Sequence, residues 1–185
     1  MKIAVFGAGS IGTYLGGAVL AAGGDVVLIG RARMRERISQ NGLFLTDLHG
    51  RCIALEGARV PYAEDPAALA DADLILVTVK SADTAAAAEA IHAGARPSAV
   101  VLSLQNGIGN ADTLRRTLTG WTVLGGMVPF NVVPMPYGRL HRGTDGELLV
   151  ETHPAMMPGQ ACSAPPMCPC CSMLILLRSN GANCC

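Results

Sequence analysis

The sequence predicts an α/β fold built around a doubly wound parallel sheet. Short apolar runs alternate with amphipathic or alanine-rich stretches over residues 1–150, which is the pattern of repeated strand and helix units. The run at residues 74–79 is almost continuously apolar, as a strand covered on both faces by helices must be. A glycine-rich turn also follows the first apolar run directly. Together these features indicate a parallel sheet with helices on both faces.

The predicted strands are short apolar runs bounded by turn residues. They span residues 3–6, 26–29, 74–79, 100–104 and 123–124. The predicted helices fill the intervals, because their apolar or alanine residues recur at helical spacing. They span residues 11–22, 31–40, 81–92 and 110–118. A shorter helix is expected to begin at Pro66, since Asp65 before it is a favourable N-cap residue.

Turn residues set the remaining boundaries. Glycines 23 and 24 end the first helix, and an Asn-Gly pair at residues 41–42 ends the second. Residues 43–47 and 51–55 flank a His-Gly pair and are expected to form a small hairpin. Residues 139–142 and 147–151, separated by Gly-Thr-Asp-Gly, are expected to form a second hairpin that closes the domain.

Charge and hydropathy exclude several classes of protein. The 185 residues contain 14 Lys and Arg against 14 Asp and Glu, so there is no basic field to hold a nucleic acid. No apolar stretch approaches the roughly 20 residues that span a bilayer, so we expect no membrane helix. Because no charged segment precedes the first apolar run, a signal peptide is not expected and the cytoplasm is the predicted compartment.

The glycine-rich turn fits the pattern G-x-G-x-x-G. It consists of Gly7, Ala8, Gly9, Ser10, Ile11 and Gly12. Between a strand and a helix, the first glycine permits a tight turn, the second lets the backbone approach a pyrophosphate, and the third allows helix and strand to pack closely. The helix N-terminus then offers N–H groups to the phosphates. The alternative, a plain glycine-rich turn, is disfavoured by this context, so the sequence predicts a Rossmann-type dinucleotide site.

The residues after the second strand predict NADP as the cofactor. An NAD enzyme places an acidic residue there to bind the ribose 2′-hydroxyl, but this chain has none. Arg31 and Arg33 instead offer planar guanidinium groups suited to a 2′-phosphate. The alternative for Arg33, Arg35 and Arg37 is that they lie on a solvent-exposed helix face and bind no ligand.

Two polar residues follow the middle strands. Lys80 follows the strand at residues 74–79, and Asn106 follows the strand at residues 100–104. Ligands of open α/β sheets lie beyond the carboxyl ends of the strands. A lysine there can steer a cofactor ribose or a carboxylate, and an asparagine amide can bond to nicotinamide or a substrate oxygen. The alternative is an ordinary surface lysine and a turn asparagine.

Several segments in order resemble the ketopantoate reductase (2-dehydropantoate 2-reductase) family over residues 1–152. They are MKIAVFGAGSIG at the start, Arg31, VTVKS around Lys80, SLQNGIGN around Asn106 and GGMVPFN at residues 125–131. The resemblance implies NADPH-dependent reduction of 2-dehydropantoate to pantoate, a step of pantothenate and coenzyme A biosynthesis. It also implies that the glycine motif binds the pyrophosphate, Arg31 the 2′-phosphate, and Lys80 the cofactor. Asn106 would orient nicotinamide and substrate.

Residues 153–185, called the tail here, differ from the rest of the chain. Of the seven cysteines, only Cys52 lies outside the tail, which is also rich in proline. The resemblance implies a helical second domain that carries a general-acid lysine, whereas the tail has no lysine. We therefore assign no domain to the tail and expect an abnormal, out-of-frame and disordered segment that leaves a truncated, impaired reductase.

Other interpretations of the chain stay open. The tail cysteines predict no metal site, because the adjacent pair at residues 170–171 is awkward for one tetrahedral zinc ion. Disulfides would require an oxidising compartment. The chain could be a non-catalytic NADP-binding module, or a reductase of another 2-keto acid. The expected partner is a small 2-keto acid, and the sequence predicts no oligomeric state.

Overall fold

The structure, a computed structural model, describes residues 1–151, so the predicted disorder of the tail lies outside the described residues. The strands are β1 (Lys2–Phe6), β2 (Asp25–Ile29), β3 (Leu43–Asp47), β4 (Cys52–Leu55), β5 (Tyr62–Ala63), β6 (Leu74–Val77), β7 (Val100–Ser103), β8 (Thr122–Met127), β9 (Val132–Pro134), β10 (Arg139–Arg142) and β11 (Leu149–Val150). The α-helices are α1 (Ser10–Ala21), α2 (Ala32–Asn41), α3 (Thr84–Gly94) and α4 (Asn110–Thr117). Short 3-10 helices span Gly57–Arg59, Pro66–Leu69 and Ser81–Asp83.

The main sheet has seven strands in the order β11-β8-β7-β6-β1-β2-β5. All its neighbours run parallel except β11, which pairs antiparallel with β8. The chain builds one side of β1 with β2 and then crosses to the other side with β6. The topology therefore reverses at β1, which confirms the doubly wound Rossmann-type fold. In sheets of this kind, ligands bind beyond the carboxyl ends of the strands at such a point, which here are the ends of β1 and β6.

The core lies on both faces of this sheet. In β1, Ile3 and Val5 belong to the apolar cluster that includes α1, whereas Ala4 belongs to the cluster on the opposite face. The side chains of β6 alternate in the same way, and all of its residues are buried. The prediction of a central strand covered on both faces is therefore confirmed.

A second sheet of four strands, in the order β4-β3-β10-β9, packs beside α1. The first predicted hairpin is confirmed, because β3 and β4 pair antiparallel. The second predicted hairpin is wrong, because β10 pairs with β3 and β9, and β11 pairs with β8 in the main sheet.

The edge of β8 explains why the second predicted hairpin is wrong, because β11 pairs with that edge. The backbone N–H of Glu151 donates to the Gly125 carbonyl oxygen at 2.8 Å, and the Glu151 carboxylate accepts from the Gly125 N–H at 2.8 Å. Arg115 also pairs with this carboxylate. These contacts attach β11 to β8 and α4, so the Gly-Thr-Asp-Gly segment links two sheets instead of closing a hairpin.

Candidate dinucleotide-binding site

The turn after β1 is held between β2 and the segment that follows β6. The N–H groups of Gly7 and Ala8 donate to the Ile29 carbonyl oxygen at 3.0 and 2.9 Å. Gly7 has φ +108°, and a Cβ atom there would lie 2.5 Å from the Val79 backbone nitrogen. Both the positive φ and the close approach to Val79 require glycine at position 7.

Gly9 faces open space at the start of α1. A Cβ atom at Gly9 would have only the Gly7 carbonyl oxygen within 4 Å, at 3.9 Å. Gly9 is the N-cap residue, and in the described part of the chain no side chain caps α1 and no acidic residue lies in its first turn. The N–H groups of Ser10, Ile11 and Gly12 precede the first intrahelical bond, from Thr13 to Gly9. This end of α1 is therefore suited to an anionic group.

Gly12 lies where α1 crosses β1. A Cβ atom there would contact Thr78 Oγ1 and would lie 2.7 Å from the Gly7 carbonyl oxygen and 2.9 Å from Val5 Cγ1. The glycines at positions 9 and 12 thus have different surroundings, one open to solvent and the other closed by protein atoms.

We expect Gly12→Ala to lower the free energy of unfolding by about 1–3 kcal/mol, because the added methyl group overpacks the contact between α1 and β1. Urea denaturation of both proteins measures the change. Gly9→Ala is the matched control in the same turn, and it should cost less, at most about 1 kcal/mol, because alanine there only caps the helix less well than glycine. Equal stability of the Gly12→Ala and Gly9→Ala variants would contradict this description of the contact.

The arginines of the α2 segment fall into two groups. Arg35 pairs with Glu64 at 3.0 Å, and the Arg37 guanidinium donates to the Met135 carbonyl oxygen. Arg31, the N-cap residue of α2, and Arg33 are both exposed, and neither side chain has an ion-pair partner within residues 1–151. Within residues 1–151, Arg31 and Arg33 are therefore the arginines of this segment whose side chains have no protein partner near the end of β2.

Lys80 and Asn106 lie at the carboxyl ends of adjacent parallel strands. Lys80 is the N-cap residue of the 3-10 helix Ser81–Asp83 that follows β6, and Asn106 follows β7. Both side chains are exposed. The Ser81 hydroxyl donates to the Asn106 carbonyl oxygen at 2.9 Å, so the two loops are bonded to each other next to these residues.

A network of buried polar side chains beneath the exposed residues holds these two loops together. Asn110 Nδ2 donates to the carbonyl oxygens of Asn106 at 3.0 Å and Gly107 at 3.3 Å. Gln105 Nε2 donates to the Val79 carbonyl oxygen at 3.1 Å and to Thr84 Oγ1 at 2.7 Å. The network thus forms hydrogen bonds with the backbone of both loops, next to Lys80 and at Asn106 itself.

Sequence reasoning did not assign this network. Thr84, Ser103, Gln105 and Asn110 are all buried. The Ser103 hydroxyl donates to Gln105 Oε1 at 3.1 Å, and Thr84 Oγ1 lies 3.2 Å from Asn110 Oδ1. The available signal was the amide side chains of Gln105 and Asn110 on either side of Asn106 in the loop after β7, although the sequence alone does not show which side chains turn inward.

We expect Asn110→Ala to lower the free energy of unfolding by about 1–3 kcal/mol, because it removes a buried amide that joins the two loops and leaves the Gly107 carbonyl oxygen without this donor. Chemical denaturation measures the loss. Asn106→Ala, which changes an exposed side chain in the same loop, should shift stability by less than about 0.5 kcal/mol. A neutral Asn110→Ala variant would show that the two loops are held by other contacts.

Metal-ligand clusters and membrane-spanning helices are both absent from the described part of the chain. Residues 1–151 contain no group of three or more His, Cys, Asp or Glu side chains that could hold a metal ion. Among the helices of the same residues, none has the length and apolar character needed to cross a membrane.

Comparisons with known proteins place this chain in a family. The family model "Ketopantoate reductase PanE/ApbA" matches residues 3–155. The chain is 34% identical over 151 residues to a 2-dehydropantoate 2-reductase of Halobacterium salinarum, covering 81% of this chain and 48% of that protein. It is 33% identical to the structure of a PanE/ApbA family ketopantoate reductase from Ralstonia eutropha, with a TM-score of 0.79, covering 96% of this chain and 54% of that one.

A related dehydrogenase also matches. D-mandelate dehydrogenase, solved in a ternary structure with NADH and anilino(oxo)acetate, is 25% identical with a TM-score of 0.65 and covers 81% of this chain and 47% of that one. The chain spans about half the length of the relatives it matches. Because the family model covers most of its residues, the chain belongs to the ketopantoate reductase PanE/ApbA family.

Proposed function

We propose that residues 1–152 form an NADPH-binding domain whose site serves the reduction of 2-dehydropantoate to pantoate. The observation that carries the proposal is the uncapped N-terminus of α1, which opens at Gly9 at the topological switch point. A dinucleotide pyrophosphate is the ligand for which this arrangement is suited, since free N–H groups and the helix dipole both favour an anion.

The chain's own residues fit the adenosine half of NADPH. The Gly9 backbone and the N–H groups of Ser10 and Ile11 would hold the pyrophosphate. Arg31 would pair with the 2′-phosphate, with Arg33 as a second cation, because neither arginine is committed to a carboxylate within the described residues. The family supports a nicotinamide cofactor in general, and the choice of NADPH over NADH rests on these arginines.

The nicotinamide half would lie towards Lys80 and Asn106. When bound, NADPH supplies a hydride to the keto carbon of a substrate. The Lys80 ammonium group would attract a ribose hydroxyl or a substrate carboxylate, and the Asn106 amide would orient the nicotinamide or the keto oxygen. The buried network below them joins the two backbone segments that carry these residues, which supports a defined orientation of the site.

We infer that the substrate is a small 2-keto acid, that no nucleic acid takes part, and that the compartment is the cytoplasm. A second candidate substrate is a different 2-keto acid, which is favoured by the similarity to D-mandelate dehydrogenase. The general acid that the family resemblance implies has no counterpart among the site residues named above. We therefore expect the 185-residue chain to bind NADPH but to turn over slowly.

The test is NADPH oxidation in the presence of 2-dehydropantoate, next to a calorimetric titration with NADPH. Binding with turnover far below the 1 per second or more that is typical of enzymes supports the proposal. Any residual turnover should be faster with 2-dehydropantoate than with phenylglyoxylate, the keto acid of mandelate. The absence of NADPH binding would contradict the proposal, and a preference for phenylglyoxylate would favour the second candidate.

A further inference from the structure

We propose that Tyr62 determines the nucleotide specificity of the site, by holding the Arg31 backbone and by occupying the space of any side chain at position 30. The inference rests on the proposed function and names a residue that acts on the cofactor through its neighbours. Tyr62 is thus a positioning residue of the site.

The short strand β5 brings Tyr62 to the carboxyl end of β2. Leu28 pairs with Tyr62 in the parallel register, and the Gly30 N–H donates to the Ala63 carbonyl oxygen at 3.0 Å. The Tyr62 hydroxyl then donates to the Arg31 carbonyl oxygen at 3.2 Å. The edge strand β5 and the Tyr62 side chain thus both bind residues 30–31, the segment between β2 and α2 that carries the exposed Arg31.

The hydroxyl is bonded at the residue where α2 begins. The Arg31 carbonyl oxygen also accepts from the Met34 N–H at 3.0 Å, so the phenol shares its acceptor with the first turn of the helix. Burial, with a further contribution from the nearby Glu64 carboxylate, raises the pKa of Tyr62 to about 12. The hydroxyl therefore keeps its proton, and its hydrogen bond, throughout the neutral pH range.

The same hydroxyl lies where a side chain at position 30 would begin. A Cβ atom at Gly30 would lie 2.5 Å from Tyr62 Oη and 3.0 Å from the Ala8 Cβ atom. Gly30 is not among the glycines with positive φ, so no left-handed φ excludes a side chain there, and the obstacle is the close contact with Tyr62 and Ala8. A side chain there must displace the Tyr62 hydroxyl from Arg31 or push Ala8, which belongs to the glycine motif.

This exclusion concerns the place where NAD-binding proteins carry their acidic residue, at the end of the second strand. An aspartate at position 30 would repel the 2′-phosphate of NADPH and could bond to the 2′-hydroxyl of NADH. Tyr62 prevents that arrangement and at the same time fixes the cation that favours the phosphate. Holding the cation favours NADPH in this chain, and the exclusion keeps position 30 from gaining the aspartate that would favour NADH.

The first arm of the test is Tyr62→Phe, which removes one hydroxyl and keeps the ring. We expect its Kd for NADPH to rise about three- to tenfold, the effect of one lost hydrogen bond, while its Kd for NADH changes less than about twofold. Tyr137→Phe is the matched control, because Tyr137 is 83% exposed and is not part of the site. An equal loss of affinity for both nucleotides would mean a merely structural role and would overturn the proposal.

The second arm introduces aspartate at position 30 with and without the tyrosine. We expect Gly30→Asp alone to weaken both nucleotides, and Gly30→Asp combined with Tyr62→Ala to bind NADH about tenfold more tightly than Gly30→Asp alone. A Gly30→Asp protein that gains NADH affinity equally in both backgrounds would contradict the exclusion. If Gly30→Asp fails to fold by circular dichroism, the Tyr62→Phe arm decides. Failure of the proposed function is recognised separately, as a wild-type chain that binds neither nucleotide.

Discussion

Gly9→Val is expected to weaken dinucleotide binding at least 100-fold while leaving the fold intact. The valine Cβ atom would lie in the open space before α1, where the nearest atom outside the adjacent residues is the Gly7 carbonyl oxygen at 3.9 Å. The side chain would therefore extend into the space that we propose for the pyrophosphate. Loss of two charge-assisted hydrogen bonds, at about 1.5–3 kcal/mol each, corresponds to about 100-fold or more.

Calorimetric titration with NADPH measures this loss, and circular dichroism with thermal unfolding shows whether the fold persists. The backbone of Gly9 has φ −82° and ψ −165°, an extended conformation that valine adopts readily. Gly9→Ala is the graded control and should lose less affinity than Gly9→Val. Retention of NADPH affinity by a folded Gly9→Val protein would mean that the open space before α1 is not a phosphate site.

Arg31→Ala is expected to weaken NADPH binding about 10- to 150-fold and to leave NADH binding almost unchanged. The guanidinium group is exposed and has no ion-pair partner within residues 1–151, so a 2′-phosphate would be its first charged partner. One charge-assisted contact contributes about 1.5–3 kcal/mol, which gives this range of affinity. NADH lacks the phosphate and should be insensitive to the change.

The matched control for this variant is Arg35→Ala, one helical turn away. Arg35 already pairs with Glu64 at 3.0 Å, and its removal should change NADPH affinity by less than about threefold. Parallel titrations of NADPH and NADH with both variants separate a specific contact from a general loss of positive charge. Equal effects of Arg31→Ala and Arg35→Ala on NADPH would contradict the assignment of Arg31.

The parts of the fold that follow local rules could be predicted from the sequence. The helix expected at residues 11–22 is α1, Ser10–Ala21, because a glycine motif and a pair of terminal glycines mark its ends. The strand expected at residues 74–79 is β6, Leu74–Val77, since continuous burial leaves a continuous apolar signal. The predicted N-cap of the short helix is confirmed too, because the Asp65 carboxylate accepts from the Ala67 N–H at 2.8 Å.

The parts of the fold that depend on pairing between distant segments could not be predicted from the sequence. The parallel pairing of β10 with β3 joins segments far apart in the chain, whereas the Gly-Thr-Asp-Gly segment beside β10 has the composition of a local turn. Tyr62 lies in a two-residue strand without an alternating pattern. Its role follows only from the position of Gly30 and Arg31 beside it. The Gln105 and Asn110 network likewise exists only after β6 and β7 align.

A crystal structure of the chain with NADP⁺ tests the central claim most directly, because it locates each part of the cofactor. We expect the pyrophosphate within hydrogen-bond distance of the N–H groups at the start of α1, over Gly9. The 2′-phosphate should contact Arg31, and the nicotinamide should lie between Lys80 and Asn106. A dinucleotide bound elsewhere, or one bound in reverse with its nicotinamide beside Arg31, would contradict the account.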